Sequence, residues 1–212
     1  MYTLYYSPGA ASLAIHWLLA ELHVPFELQL VDLTTKAQKT PDYLKLNPAG
    51  MVPTLVIDGM PRTETAALLM LLAERHAEAQ LAPAPGTPER AAYLQWMITG
   101  ANTLMPLFRN WFYPDDVAGA AYAEIVKAGT QPRIEAAWDR VDARLQETGG
   151  YIAGSRFTAA DCLVTMLMRW SRNMPKPATR WPNLVAYAAR TTGREAFRAV
   201  CEQEGLDTWP PA

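Results

Sequence analysis

The feature that most limits what this chain can fold into is a change of rhythm near residue 80. Before it, short strand-like and helix-like segments alternate; after it, strand signals vanish. One chain must therefore build two different kinds of layer. The break is Leu81-Ala82-Pro83-Ala84-Pro85-Gly86-Thr87-Pro88, three prolines and a glycine in eight residues, the composition of a stiff connector.

In the first part, Tyr2 to Tyr6 is short and aromatic-rich, and Pro8-Gly9 breaks it. That is a strand followed by a turn. Ser12 can cap a helix whose apolar positions Ile15, Leu18, Leu19 and Leu22 recur at three and four. Phe26 to Val31 alternates like a strand, Pro41 to Asn47 has the look of a short helix, and Thr54 to Ile57 is a further strand. Asp58-Gly59 is a hairpin turn, and a strong helix runs from Glu64 to about His76. This order predicts a small α/β sandwich.

In the second part, Leu94, Met97, Ile98, Ala101, Leu104, Met105 and Phe108 share a helical face, and so do Ile134, Trp138, Val141 and Leu145. Pro132 is expected to break or kink the helix ahead of the latter run. Thr158 and Asp161 have the spacing of a capping box. The predicted domains are residues 1–80, a linker over 81–88, and an all-helical domain over 89–212.

Composition narrows the function. The chain has 212 residues and a formal net charge of −2. Neither part carries the basic excess of a phosphate-binding surface, so nucleic acid is not an expected partner. Cys162 and Cys201 stand alone, without a second Cys or a His at metal-ligand spacing, so no metal site is expected and a reducing compartment is. The start of the chain has no secretory pattern and no apolar run is long enough for a membrane span, which predicts a cytoplasmic protein with no membrane partner. His16, His23 and His76 have the spacing of helix-surface or helix-end residues.

With these joints in place, the chain resembles the cytosolic glutathione transferase superfamily, its bacterial beta-class-like members above all. Four local motifs carry the resemblance: LYYSPGAAS from Leu4 to Ser12, VDLTTK from Val31 to Lys36, NPAGMVPTL from Asn47 to Leu55, and the pair Glu64-Thr65. The second domain adds Thr158 to Asp161. The resemblance implies a thioredoxin-like N-terminal domain followed by an all-α helical bundle. It also implies a homodimer, with glutathione as co-substrate and a detoxification role.

Under that resemblance, a cis Val52–Pro53 joint turns the main chain of Val52 toward the tripeptide, which pairs with it as an added strand. Thr65 and the helix start behind Glu64 take the γ-glutamyl carboxylate, Glu64 faces the ammonium, and Lys36 holds the glycyl carboxylate. The chain departs from its relatives at Ala10 and Ala11, where the delta-class serine and beta-class cysteine stand. Mixed-disulfide chemistry is thereby removed. Ser12, Tyr6 or main-chain amides are left to stabilise the glutathione thiolate. A small hydrophobic electrophile is expected against the helix from Gln95 to Tyr113, with Asn102, Met105 and Arg109 on its side of the site. The expected reaction is addition of the thiolate to that electrophile; the alternatives are a non-catalytic ligand-binding relative and a glutathione-dependent isomerase.

Overall fold

The structure is a computed structural model that describes residues 1–210. The first part runs β1 (Tyr2–Tyr6), α1 (Ser12–Glu21), β2 (Phe26–Leu30), α2 (Pro41–Leu46), β3 (Thr54–Ile57), β4 (Met60–Arg62) and α3 (Thr65–Arg75). The strands lie in the order β2-β1-β3-β4. β1 and β2 are parallel, and the other two pairings are antiparallel. This is the thioredoxin-like layer expected from the sequence. Asp58 and Gly59, both at positive φ (53° and 77°), join Ile57 to its partner Met60, as a two-residue hairpin requires. Leu4 and Leu55 of the sheet, Leu13, Trp17 and Leu18 of α1, and Leu68 and Leu72 of α3 are fully enclosed.

The remainder is helical: α4 (Pro88–Thr99), α5 (Met105–Phe112), α6 (Asp115–Ala118), α7 (Ala123–Thr148), α8 (Ala159–Trp170), α9 (Pro182–Thr192) and α10 (Glu195–Gln203). A π-turn at Gly100–Leu104 joins α4 to α5. At its first residue the backbone lies so close to Leu163 that a Cβ on Gly100 would meet Leu163 Cδ2 at 2.7 Å.

Two expectations are corrected. Pro132 does not end a helix: it lies inside α7, which is 26 residues long. Pro132 deletes one main-chain bond, but Ile134, Ala137, Trp138 and Val141 beyond it are all buried, and that packing outweighs the lost bond. The second correction concerns Ser12, which is the first residue of α1. The N-cap is Ala11, and no side chain caps the helix. The capping box of α8 does form on its acidic side, with the Thr158 N–H donating to Asp161 Oδ2 at 2.7 Å.

The two parts share one hydrophobic core. Trp17 of α1 packs against Phe157 and Phe197, with ring centroids at 5.4 and 4.8 Å. Arg194 grips both oxygens of Glu21 at 2.6 Å. The connector is laid into this joint, since Leu81 is buried and its carbonyl accepts from the Ala159 N–H at 2.8 Å. The loops at the end of the sheet are therefore held from both sides.

Candidate active site

Strand register brings the sequence-predicted residues of the first domain to one end of the sheet. Tyr5 pairs with Thr54, so the loop after β1 lies beside the loop before β3. Leu55 pairs with Arg62, so the chain leaving β4 toward Thr65 reaches the same edge. Tyr6 pairs with Leu30, and the Val31 N–H donates to the Tyr6 carbonyl at 2.7 Å, so the segment leading to Lys36 starts there too.

The loop after β1 ends in the start of α1. The Ala10 N–H is used by Ser7, but those of Ala11 and Ser12 make no hydrogen bond among the described residues. Such orphan donors at a helix start attract an anion. The Ser12 side chain is fully buried. Its hydroxyl donates to the Ser7 carbonyl and accepts from the Ser7 N–H, each at 3.1 Å. Its proton is committed to holding the loop. Tyr6 is half-buried and its ring lies edge-on to His16 at 6.0 Å.

The loop before β3 is braced at one carbonyl. Met51 O accepts from the Tyr43 hydroxyl and from Asn47 Nδ2, each at 2.7 Å. Burial pushes the Tyr43 phenol up, so it remains a donor. Gly50 turns the chain at φ +60°, where a Cβ would meet the Gln38 carbonyl at 2.9 Å. The Val52–Pro53 bond is cis. The N–H and C=O of Val52 are unpaired among the described residues.

Glu64 precedes α3 with φ 71° and ψ 101°, and its side chain makes no capping bond. Thr65 is buried at the first turn. Lys36 is exposed, in a left-handed conformation ahead of a short 3-10 turn. Lys39 lies closer to the Val52 loop, donating to the Ala49 carbonyl at 3.2 Å.

The helical part closes the site. Gly9 is held twice: its N–H donates to Glu204 Oε2 at 2.8 Å, and its carbonyl accepts from Trp170 Nε1 at 2.9 Å. Trp170 also meets Phe108 and Phe112 edge-on, with centroids at 5.8 and 6.2 Å. An aromatic wall thus rises beside the loop, with Phe112 exposed on it. Asn102 opens instead on a groove of about 230 Å³ with Asn110 and Arg133. Met105 is half-buried against the core, and neither it nor Arg109 lines that groove. Arg109 lies over the Tyr113 ring at 4.1 Å and pairs with Asp116 at 2.5 Å. Of the three residues expected on the electrophile side, Asn102 alone lines that groove.

Comparison with known proteins decides the family. The sequence model described as Glutathione S-transferase, N-terminal domain, matches residues 1–74, and the one described as Glutathione S-transferase, C-terminal domain, matches residues 120–190. A curated relative, glutathione S-transferase GST-4.5 of Xanthomonas campestris, is 33% identical over 96% of this chain and 99% of its own. The chain belongs to the glutathione S-transferase family. A crystal structure of a glutathione transferase homologue from Sulfitobacter with bound glutathione superposes with a TM-score of 0.90 at 28% identity, covering 98% of this chain and 99% of that one. A maleylacetoacetate isomerase of Rhizobium meliloti is 32% identical over 79% of this chain and 80% of its own.

In this glutathione S-transferase family chain, sequence reasoning missed the residues that arrive from the far end. His16 is no surface residue: it is fully enclosed, with Nδ1 2.8 Å from Glu204 Oε1 and Nε2 3.1 Å from Gln203 Oε1. Glu204, Trp170 and the buried Arg169 carry no local pattern that marks them. Cys162 is buried and its thiol is pushed well up, while burial pushes Cys201 up to about 11, so neither is a thiolate at neutral pH. No described helix is long and apolar enough to cross a membrane.

Proposed function

We propose that the chain binds glutathione along this end of the sheet and adds its thiolate to a hydrophobic electrophile. The observation that carries the reading is the gathering of unpaired main-chain groups at one edge: the amides of Ala11 and Ser12, and both polar groups of Val52. Their spacing suits an extended tripeptide. Its backbone pairs with Val52, and its γ-glutamyl carboxylate takes the Thr65 hydroxyl and the first amides of α3. Pro53 holds the joint, Glu64 faces the ammonium, and Lys36, with Lys39 beside it, meets the glycyl carboxylate.

The sulfur then falls at the start of α1. A free thiol ionises near pH 8.5, and lowering this by about two units makes most of it thiolate at neutral pH. With alanine at positions 10 and 11, the donors for this work are the amides of Ala11 and Ser12. Tyr6, whose hydroxyl has no hydrogen-bond partner among the described residues, adds a side-chain donor. The thiol proton leaves to solvent. The thiolate attacks the electrophile, held against Phe112 and Trp170: a carbon–sulfur bond forms, and the displaced electron pair takes a solvent proton or, in a halogenated substrate, leaves with the halide.

Calorimetry with glutathione, followed by turnover of 1-chloro-2,4-dinitrobenzene, tests this. Binding with chloride release is the expected result, and absence of binding at millimolar glutathione rejects it. The isomerase relative supports a second reading, in which glutathione adds and is released unchanged. Conversion of a cis enone without loss of glutathione would favour it. We further propose a cytoplasmic homodimer. Leu94 and Ile98, one turn apart on α4, are exposed beside a groove between α4 and α7 of about 730 Å³. A monomer in light scattering removes that part.

A further inference from the structure

We propose that Arg169 is the fixed positive charge that keeps the sulfur of bound glutathione ionised, acting through the Gly9–Ala11 loop from its buried side. The proposal rests on glutathione docking at this end of the sheet. Arg169 sits at the last turn of α8 and is 2% exposed. Its Nε has no hydrogen-bond partner, and none of the ion pairs among the described residues includes it. Glu204 and Asp207 face this enclosed guanidinium, but neither makes an ion pair with it and its Nε stays unpaired, so it can stabilise a further anion nearby.

Its position says where that anion belongs. Nη1 lies 3.3 Å from the point a Cβ on Gly9 would occupy. The side chain therefore packs directly on the loop backbone, two residues before the unpaired Ala11 amide. Gly9, at φ +67°, is the residue that allows this approach.

The charges around it give the sign. Arg172, Cys201, Glu204 and Asp207 are the titratable groups facing Arg169. Glu204 binds the Gly9 N–H and pairs with His16, and Tyr6 packs on His16 from β1. By itself, the enclosed Glu204 carboxylate would hold a thiol on this loop protonated. Arg169 supplies the opposing charge from α8. Burial and Arg172 lower its affinity for its proton, but from so high a value that it remains charged. In a poorly screened interior such a charge acts across several ångströms. It does what a hydroxyl or thiol at position 10 or 11 would otherwise do by contact.

The test is the pH titration of bound glutathione by thiolate ultraviolet absorbance, in the full chain and in Arg169→Met, Arg169→Gln and Arg169→Lys. Glutathione affinity is measured beside each by calorimetry. The neutral variants are expected to raise the thiol pKa by about one unit, a roughly threefold loss of thiolate at neutral pH, with Lys restoring most of it. Gln keeps a polar side chain at the buried position and is read if Met does not fold. A thiol pKa unchanged in a folded neutral variant that still binds glutathione overturns the role of Arg169 and leaves the docking reading intact. Absence of glutathione binding by the unaltered chain overturns both.

Discussion

The imidazole of His16 and the carboxylate of Glu204 lie 2.8 Å apart with both side chains wholly enclosed, although 188 residues separate them in sequence. The second Glu204 oxygen binds the Gly9 N–H at 2.8 Å. The last helix thus fastens the loop that presents the unpaired amides. Replacing Glu204 by Ala leaves an enclosed imidazole and amide without their acceptor. It is expected to cost about 3 kcal/mol or more of stability and to weaken glutathione binding at least tenfold. Urea unfolding and calorimetry read the two effects separately.

Thr65→Ala removes a hydroxyl at the start of α3, where the proposed γ-glutamyl carboxylate docks. A hydrogen bond to a charged group contributes about 1.5–3 kcal/mol, so the glutathione Kd should rise tenfold or more. Glu64→Ala should weaken binding in the same direction by less, because the Glu64 side chain is exposed. Equal affinity in both variants would move the tripeptide elsewhere.

Ser12→Ala separates structure from chemistry. The hydroxyl is spent on the Ser7 main chain, so its removal should lower stability by about 1–2 kcal/mol and leave the kinetic pKa of the bound thiol in place. A raised kinetic pKa would return Ser12 to the role of direct donor.

Asp161 gives a pH signature unconnected with catalysis. Burial raises its carboxyl from an ordinary 3.8 to about 6, against the bonds from Ile152, Tyr187 and Thr158. Between those values the folded chain keeps a proton that the unfolded chain has released. Stability from this group therefore falls as pH rises through that window and is level above it, by about 3 kcal/mol in total. Asp161→Asn should be less stable overall, because its amide would face the Thr158 N–H, and should lack this decline. Urea midpoints of the two proteins between pH 4 and 7 check the slope.

Gly100→Ala would push a methyl into Leu163, whose side chain is fully buried and cannot swing into solvent. Overpacking of this kind costs about 1–3 kcal/mol. The measurement is the shift in urea midpoint, with no change expected in glutathione affinity, since Gly100 lies in the helical bundle.

Local chemistry was legible in advance. Asp58-Gly59 specifies its hairpin and Asp161 its capping bond, because each is settled by residues within a few positions of one another. The alternation of the first 80 residues and the helical period of the rest carry the fold for the same reason. What the linear order could not disclose was everything joined over long separations. His16 looked like a surface residue until Glu204 was folded onto it. Ser12 looked like a cap until Ser7 took both sides of its hydroxyl, and Arg169 was one cation among many. Pro132 does not break α7, because the burial of Ile134 and Trp138 outweighs one missing bond. Propensity and turn geometry act along the chain, whereas burial, charge pairing and the commitment of a proton depend on which distant atoms exclude water from a group, and only the folded arrangement sets that.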